Sequence, residues 1–362
     1  MRSLLRHPRA RHDPRPAIAE FWAWWLAEGA DGCAAALDAG DVHGVAPLLT
    51  GRVGRLHPAL AWSVGSGQCA TGRRLTVTAN GDPAARSTAH RWFLAAPPET
   101  ADWSYRDERG PALDLDFTVD AVGRTLASGD VRASWEPHED REHLDVRLVH
   151  PAFAGLDGDA AAQLAFDLLD AAVGERAVEL WVGAVTWGPD PAGGPGAGGL
   201  AELRAAVEAV AAEFTPAHDT DAVWKLAEGL DRHGRPVLVS TVVPLSPAAF
   251  PLFDRHLAVE LGYPGALPGA TELAALRGFE DELDAAVGQD AAVVAHVTVG
   301  GTRTVHLYGD ALSDVEDVVR AQAARWTTGP HAVSAHDDPA WERVADLTRP
   351  ATGTPGPVRP PG

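Results

Sequence analysis

The sequence predicts an α+β protein of two modules, with mainly antiparallel sheets and helices on one face. Three observations carry this. From His256 onward, period-2 and period-3.6 apolar patterns follow in the order strand, helix, strand, strand, helix, strand. A Gly/Pro stretch, Pro189–Gly199, separates that half from an earlier set of strands and helices. The hexapeptide LDAAVG occurs on both sides of it, at Leu169–Gly174 and Leu283–Gly288, each time within strand–turn–helix–strand wording. The order after His256 is that of a βαββαβ, ferredoxin-like sandwich with a leading hairpin.

The expected organisation follows from these signals. Residues 1–16 form a disordered Arg/Pro-rich N-terminus, 17–188 an N-terminal α+β domain and 189–199 a flexible linker. Residues 200–350 form a C-terminal ferredoxin-like domain and 351–362 a disordered tail.

In the N-terminal domain, Ile18 to Leu37 reads as a helix, with Ile18, Trp22 and Trp25 on one face. That aromatic stripe suits packing on a sheet better than lining a ligand groove. Asp41 to Leu49 reads as a short helix. Strands are expected at Ala59–Val64, Arg73–Thr78, Trp103–Arg106, Leu113–Val119, Val131–Trp135 and Leu144–His150. Pro83 opens a helix to Leu94. Glu136–Glu142 reads as a polar turn. Asp159 to Val173 is a helix stopped by Gly174, and Ala177–Trp187 an apolar buried strand.

In the second half, Leu200 to Phe214 is a helix, followed by strands at Val223–Ala227, Val237–Val243 and His256–Gly262. Thr271 is placed as N-cap of a helix to Val287. Val293–Val299 and Thr302–Tyr308 flank Gly300-Gly301, a two-residue hairpin signal. In that register Ala295 faces His306, Val293 faces Tyr308, and His296 lies on the other face near Val305. Ser313 caps a helix to Arg325, His331–Ala335 is a strand, and Pro339 to Leu347 a terminal helix.

Composition narrows the function classes. The chain has 362 residues, 46% hydrophobic and 22% charged, enough for two cores. Its formal net charge of −20 opposes phosphate backbones and anionic membranes, so no nucleic-acid or membrane partner is expected. Lys225 is the sole lysine, a coding bias without functional weight. Cys33 and Cys69 form no framework, and the N-terminus has no apolar signal segment, so a cytoplasmic location is expected.

Candidate chemistry is sparse, and no cofactor is expected. His138, Glu142 and His143 in HEDREH are the candidate metal ligands, but the spacing matches no common zinc signature and reads as a solvated turn. His57 and His150 each precede proline, which holds them extended; each is a candidate general base, set against a structural role in a backbone bond. His306 and Tyr308 are candidates for acid–base work, although no carboxylate is placed beside them, and core packing is the preferred reading. Glu280, Asp281, Glu282 and Asp284 point around one helix as a solvated face. No Gly-x-Ser-x-Gly elbow, HExxH or P-loop occurs.

A resemblance covers roughly residues 220–350. Trp224, Pro236, Leu267-Pro268, Gly301, Arg303, Tyr308, Asp338 and Trp341, with their spacing, resemble the family named domain of unknown function 695. The first half, with FWAWW and LVHPAF, resembles the N-terminal region of some multidomain members. The resemblance implies no activity and no site residues. A more distant likeness of topology, to small acidic inhibitors of a ribonuclease, would imply regulation by protein contact. The expected function is thus a protein-interaction or regulatory module without enzymatic activity. The alternative is a metal-assisted hydrolase or small-ligand enzyme using histidines of the N-terminal domain.

Overall fold

The computed structural model describes residues 13–66, 72–121, 124–138, 142–190, 196–214 and 222–347. The chain is α+β, with sheets that are mostly antiparallel. It divides into two compact units between Asp107 and Glu108, inside the 17–188 span that composition assigns to one domain. The tail at 351–362, Cys69 and most of residues 1–16 lie outside the described residues.

In the first unit, helix α1 (Arg15–Trp24) runs through a π-helical turn at Trp25–Gly29 into α2 (Ala30–Asp38). Helix α3 (Val42–Leu56) outruns the predicted Leu49 because Val45, Leu49, Val53 and Leu56 stay on one buried face. Strands β1 (Ala61–Ser66) and β2 (Arg73–Thr78) are antiparallel, α4 (Pro83–Leu94) crosses over, and β3 (Trp103–Arg106) lies parallel to β2. Asp82 caps α4 by accepting from the Ala84 amide. The aromatic stripe is core: Ile18, Phe21, Trp22 and Trp25 are buried with Trp92, Trp103 and Tyr105. Trp22 Nε1 donates to the Trp92 carbonyl and Trp25 Nε1 to Tyr105 Oη, each at 2.9 Å.

The second unit begins with a small hairpin, β4 (Thr118–Ala121) and β5 (Arg124–Ala127). The predicted strand Leu113–Val119 is largely a turn. Asp114 bends the chain by accepting from the Asp116 amide, and Ser128 Oγ takes the Phe117 amide. Strands β6 (Arg132–Pro137) and β7 (Leu144–Val149) are antiparallel. Helices α5 (Gly158–Val173) and α6 (Glu175–Trp181) then lead to β8 (Val182–Gly188), parallel to β7. The predicted strand Ala177–Trp187 is therefore helix as far as Trp181; an apolar run without alternation does not distinguish the two. Strand β9 (Gly196–Gly198) takes the end of the expected linker and pairs with β6; 191–195 lie outside the described residues. Helix α7 (Leu200–Phe214) covers the sheet, with Leu200, Leu203 and Val207 buried.

The remainder is one six-stranded antiparallel sheet. Its strands are β10 (Val223–Leu230), β11 (Pro236–Val243), β12 (Phe253–Gly262), β13 (Ala291–Val299), β14 (Thr302–Asp310) and β15 (His331–Asp337). The spatial order is β10-β11-β13-β14-β12-β15. The four strands from β12 onward thus form the ferredoxin-like arrangement, and the leading hairpin β10–β11 extends it beside β13. Helices α8 (Ala270–Val287) and α9 (Val315–Ala323) cover one face through Leu276, Phe279, Leu283, Val315 and Val319.

Four local expectations are corrected here. Gly269, not Thr271, is the N-cap of α8. A bulge at Val293–Ala295 puts Val293 opposite Leu307 and Ala292 opposite Tyr308, while Ala295–His306 and His296–Val305 pair as expected. Asp314, not Ser313, is the N-cap of α9; Ser313 Oγ still accepts from the Val315 amide. Residues 339–347 form turns and a short 3₁₀ stretch, Ala345–Leu347, rather than a helix, because Trp341 takes a φ of 56°.

Both LDAAVG copies end a helix on glycine with positive φ, 90° at Gly174 and 55° at Gly288. Their surroundings differ. After Gly174 the chain enters α6, and β7 and β8 are direct neighbours. After Gly288 it enters β13, which β14 separates from β12.

Candidate functional site

The sequence-predicted histidines fall into three settings. His57 and His150 use the same local device. Each is extended (φ −161° and −159°), and each Nδ1 accepts the amide two residues on, from Ala59 at 3.3 Å and Ala152 at 3.1 Å. The following proline forces the extended backbone that makes this possible. Nδ1 of each ring is thus an acceptor from a backbone amide.

The HEDREH turn connects β6 and β7, closed by the His138 amide on the His143 carbonyl at 2.8 Å. His138 Nδ1 lies 2.9 Å from Asp145, whose Oδ1 also accepts the Ala184 amide at 2.7 Å. Glu142 is buried and pairs with Lys225, tying this turn to the first strand of the six-stranded sheet. Residues 139–141 lie outside the described residues. Among the described residues no group of three His, Cys, Asp or Glu side chains is arranged to hold a metal ion.

His306 and Tyr308 sit on the sheet face opposite the helices, because Val305 and Leu307 between them pack under α8 and α9. There they meet two residues that sequence reasoning did not select. His256 Nε2 lies 3.0 Å from His306 Nδ1, and Tyr308 Oη donates to Asp338 Oδ2 at 2.5 Å. Asp338 also accepts the amides of Glu342 and Arg343, both at 3.0 Å. Trp341 stacks on Tyr308, with centroids 4.1 Å apart, and donates to the Phe253 carbonyl at 2.9 Å. Burial, then the neighbouring His306, holds His256 down at about 3; burial holds His306 at about 4. Burial and the bond to Asp338 push the Tyr308 hydroxyl up. All four side chains are buried, and the cluster clasps the 338–347 segment to the sheet. A carboxylate does stand beside Tyr308: Asp338, which the sequence marks only among the residues that carry the family resemblance.

The exposed chemistry lies at the other end of the sheet. Among the described residues strand β10 is an edge, paired on one side with β11. Trp224 is 41% exposed, and every residue from Leu226 (69%) to Leu230 (47%) is exposed. Trp224 stacks on His296, centroids 5.2 Å apart. This apolar row follows from the strand period of two, with Glu228 between Leu226 and Leu230. Chemically it offers backbone donors and acceptors on an edge, flanked by side chains that shed water on contact.

No protein-family model, curated protein or solved structure matches the chain. Among the described residues, no helix is long and apolar enough to cross a membrane.

Proposed function

We propose that this chain is a protein-interaction module that works by adding an extended segment of a partner protein to the β10 edge. The observation that supports the reading is the row Trp224, Leu226 and Leu230 on an eight-residue edge strand. Soluble folds usually blunt such edges with charge or cover. The formal charge of −20 favours a partner segment that carries basic residues among its apolar ones. The proposal places the protein in the cytoplasm, with neither nucleic acid nor membrane as partner. It also keeps the resemblance of residues 220–350 to domain of unknown function 695, which implies no competing activity.

The test is capture from native lysate with the full chain and with Leu226→Glu. The reading expects partners retained by the wild type and lost from the variant. It is overturned by capture of nothing above background, or by equal capture with both proteins.

A further inference from the structure

We propose that Ser240, His296 and Glu280 form an ester-cleaving site on the helix-bearing face of the six-stranded sheet. Ser240 on β11 and His296 on β13 are direct cross-strand partners, so sheet register itself brings them together. Ser240 Oγ lies 3.1 Å from His296 Nδ1. The other ring nitrogen, Nε2, has no hydrogen-bond partner among the described residues, yet lies 3.6 Å from Glu280 Oε1. A closure of a few tenths of an ångström completes that contact, as catalytic bonds do when substrate binds.

The carboxylate oxygen that faces His296 is itself held by Arg303. Arg303 Nη1 donates to Glu280 Oε1 at 2.9 Å, and Arg303 Nε donates to Thr298 Oγ1 at 3.0 Å. Glu280 is therefore not part of a solvated helix face, unlike its exposed neighbours Asp281, Glu282 and Asp284. Burial, then Arg303, keeps His296 neutral at pH 7, with its ordinary value lowered to about 4. A neutral ring with its proton on Nε2 leaves Nδ1 ready to take the serine proton. Glu280 compensates the cation that then forms. This nucleophile, base and orienting acid come from three separate elements, β11, β13 and α8.

The reaction is hydrolysis of an ester by water. Ser240 Oγ bonds to the carbonyl carbon as its proton passes to His296 Nδ1. The bond to the alcohol oxygen breaks, and that oxygen leaves with the proton from Nδ1. Water then attacks the acyl-serine and gives a proton to Nδ1. The bond to Ser240 breaks, Oγ recovers the proton, and a carboxylic acid departs.

The surroundings set the substrate class. Ser240 pairs with both Leu226 and His296, so the neighbouring backbone amides are engaged in the sheet and form no oxyanion hole. A missing oxyanion donor costs roughly 10²–10³ in rate. The site therefore suits activated esters with good leaving groups, such as aryl esters, and not amides. Trp224, stacked on His296 and open to solvent, is a flat apolar wall for the aryl group.

The experiment treats the purified full chain with a fluorescent fluorophosphonate and, separately, with 4-nitrophenyl acetate. The expected result is one label, mapped to Ser240, absent from Ser240→Ala. Ester turnover should fall at least tenfold in Ser240→Ala and His296→Ala. Glu280→Gln should shift the pH profile of turnover, which a purely structural role would leave in place. Each variant is compared by circular dichroism to show that it folds. A wild type without label on Ser240, or a folded Ser240→Ala that cleaves ester at the wild-type rate, overturns the proposal. Neither readout depends on a protein partner, so loss of one proposal leaves the other standing.

Discussion

His256 and His306 meet across neighbouring strands with Nε2 and Nδ1 3.0 Å apart, and His256 Nδ1 has no hydrogen-bond partner among the described residues. The groups around His256 are His306 and Tyr308 on β14, His336 on β15, and Arg343. The folded state holds both rings neutral, near 3 and 4, while an unfolded chain protonates them near 6.5. The unfolded state binds more protons between those values, so stability is full above pH 6.5 and falls as pH falls. Two such histidines contribute a slope of up to roughly 3 kcal/mol per pH unit between about pH 6 and pH 4. Thermal unfolding from pH 7.5 to 5 should show a falling Tm, with a shallower fall in His256→Gln.

Asp170 acts in the opposite sense. Burial, then the charge of Glu175, raises its carboxyl to about 7, against the pull of Arg109 at 3.3 Å. A carboxyl raised in the fold stabilises below the unfolded value and loses that contribution as pH climbs through the folded one. Asp170→Asn should therefore raise stability by about 1–2 kcal/mol at pH 8. The gain at pH 5 should be smaller, and urea unfolding at the two pH values measures the difference.

The β13–β14 turn separates two glycines that look equivalent. Both have positive φ, 56° at Gly300 and 84° at Gly301. A methyl on Gly300 would meet the movable end of Arg235, whereas one on Gly301 would lie 2.6 Å from the Gly265 carbonyl oxygen. Gly301→Ala should cost about 1–3 kcal/mol more than Gly300→Ala in denaturant unfolding.

Tyr308→Phe removes one hydroxyl and leaves the buried Asp338 carboxylate one donor short. The expected loss is about 1–3 kcal/mol. Limited proteolysis should cut first within 338–347, the segment that Asp338 and Trp341 pin down.

Much of this fold was legible in the sequence. Arg73–Thr78 and Pro83–Leu94 were read to the residue, because a turn, a proline and a clear period bound them. The ferredoxin-like order followed from the succession of elements after His256. Ala177–Trp181 was misread because a short apolar run carries no period, and Leu113–Phe117 because Asp114 and Ser128 capture backbone amides locally. The candidate site was less visible. Ser240, Glu280 and His296 share no motif; register between strands 56 residues apart joins Ser240 to His296. Asp338 reaches Tyr308 across 30 residues through a turn, and spacing alone does not place it.

The bulge in β13 gives that strand two phases. Before it, Ala291 and Val293 pack toward the helices; after it, His296 and Thr298 do. Removing Val294 would restore strict alternation and leave every other residue on its present face, whereas a deletion elsewhere between Ala291 and Val299 would turn part of the strand inside out. Val294 is thus the position at which a change of length leaves the two faces of the strand in place. A related chain shorter by one residue there would keep both the buried histidine pair and His296 where they are.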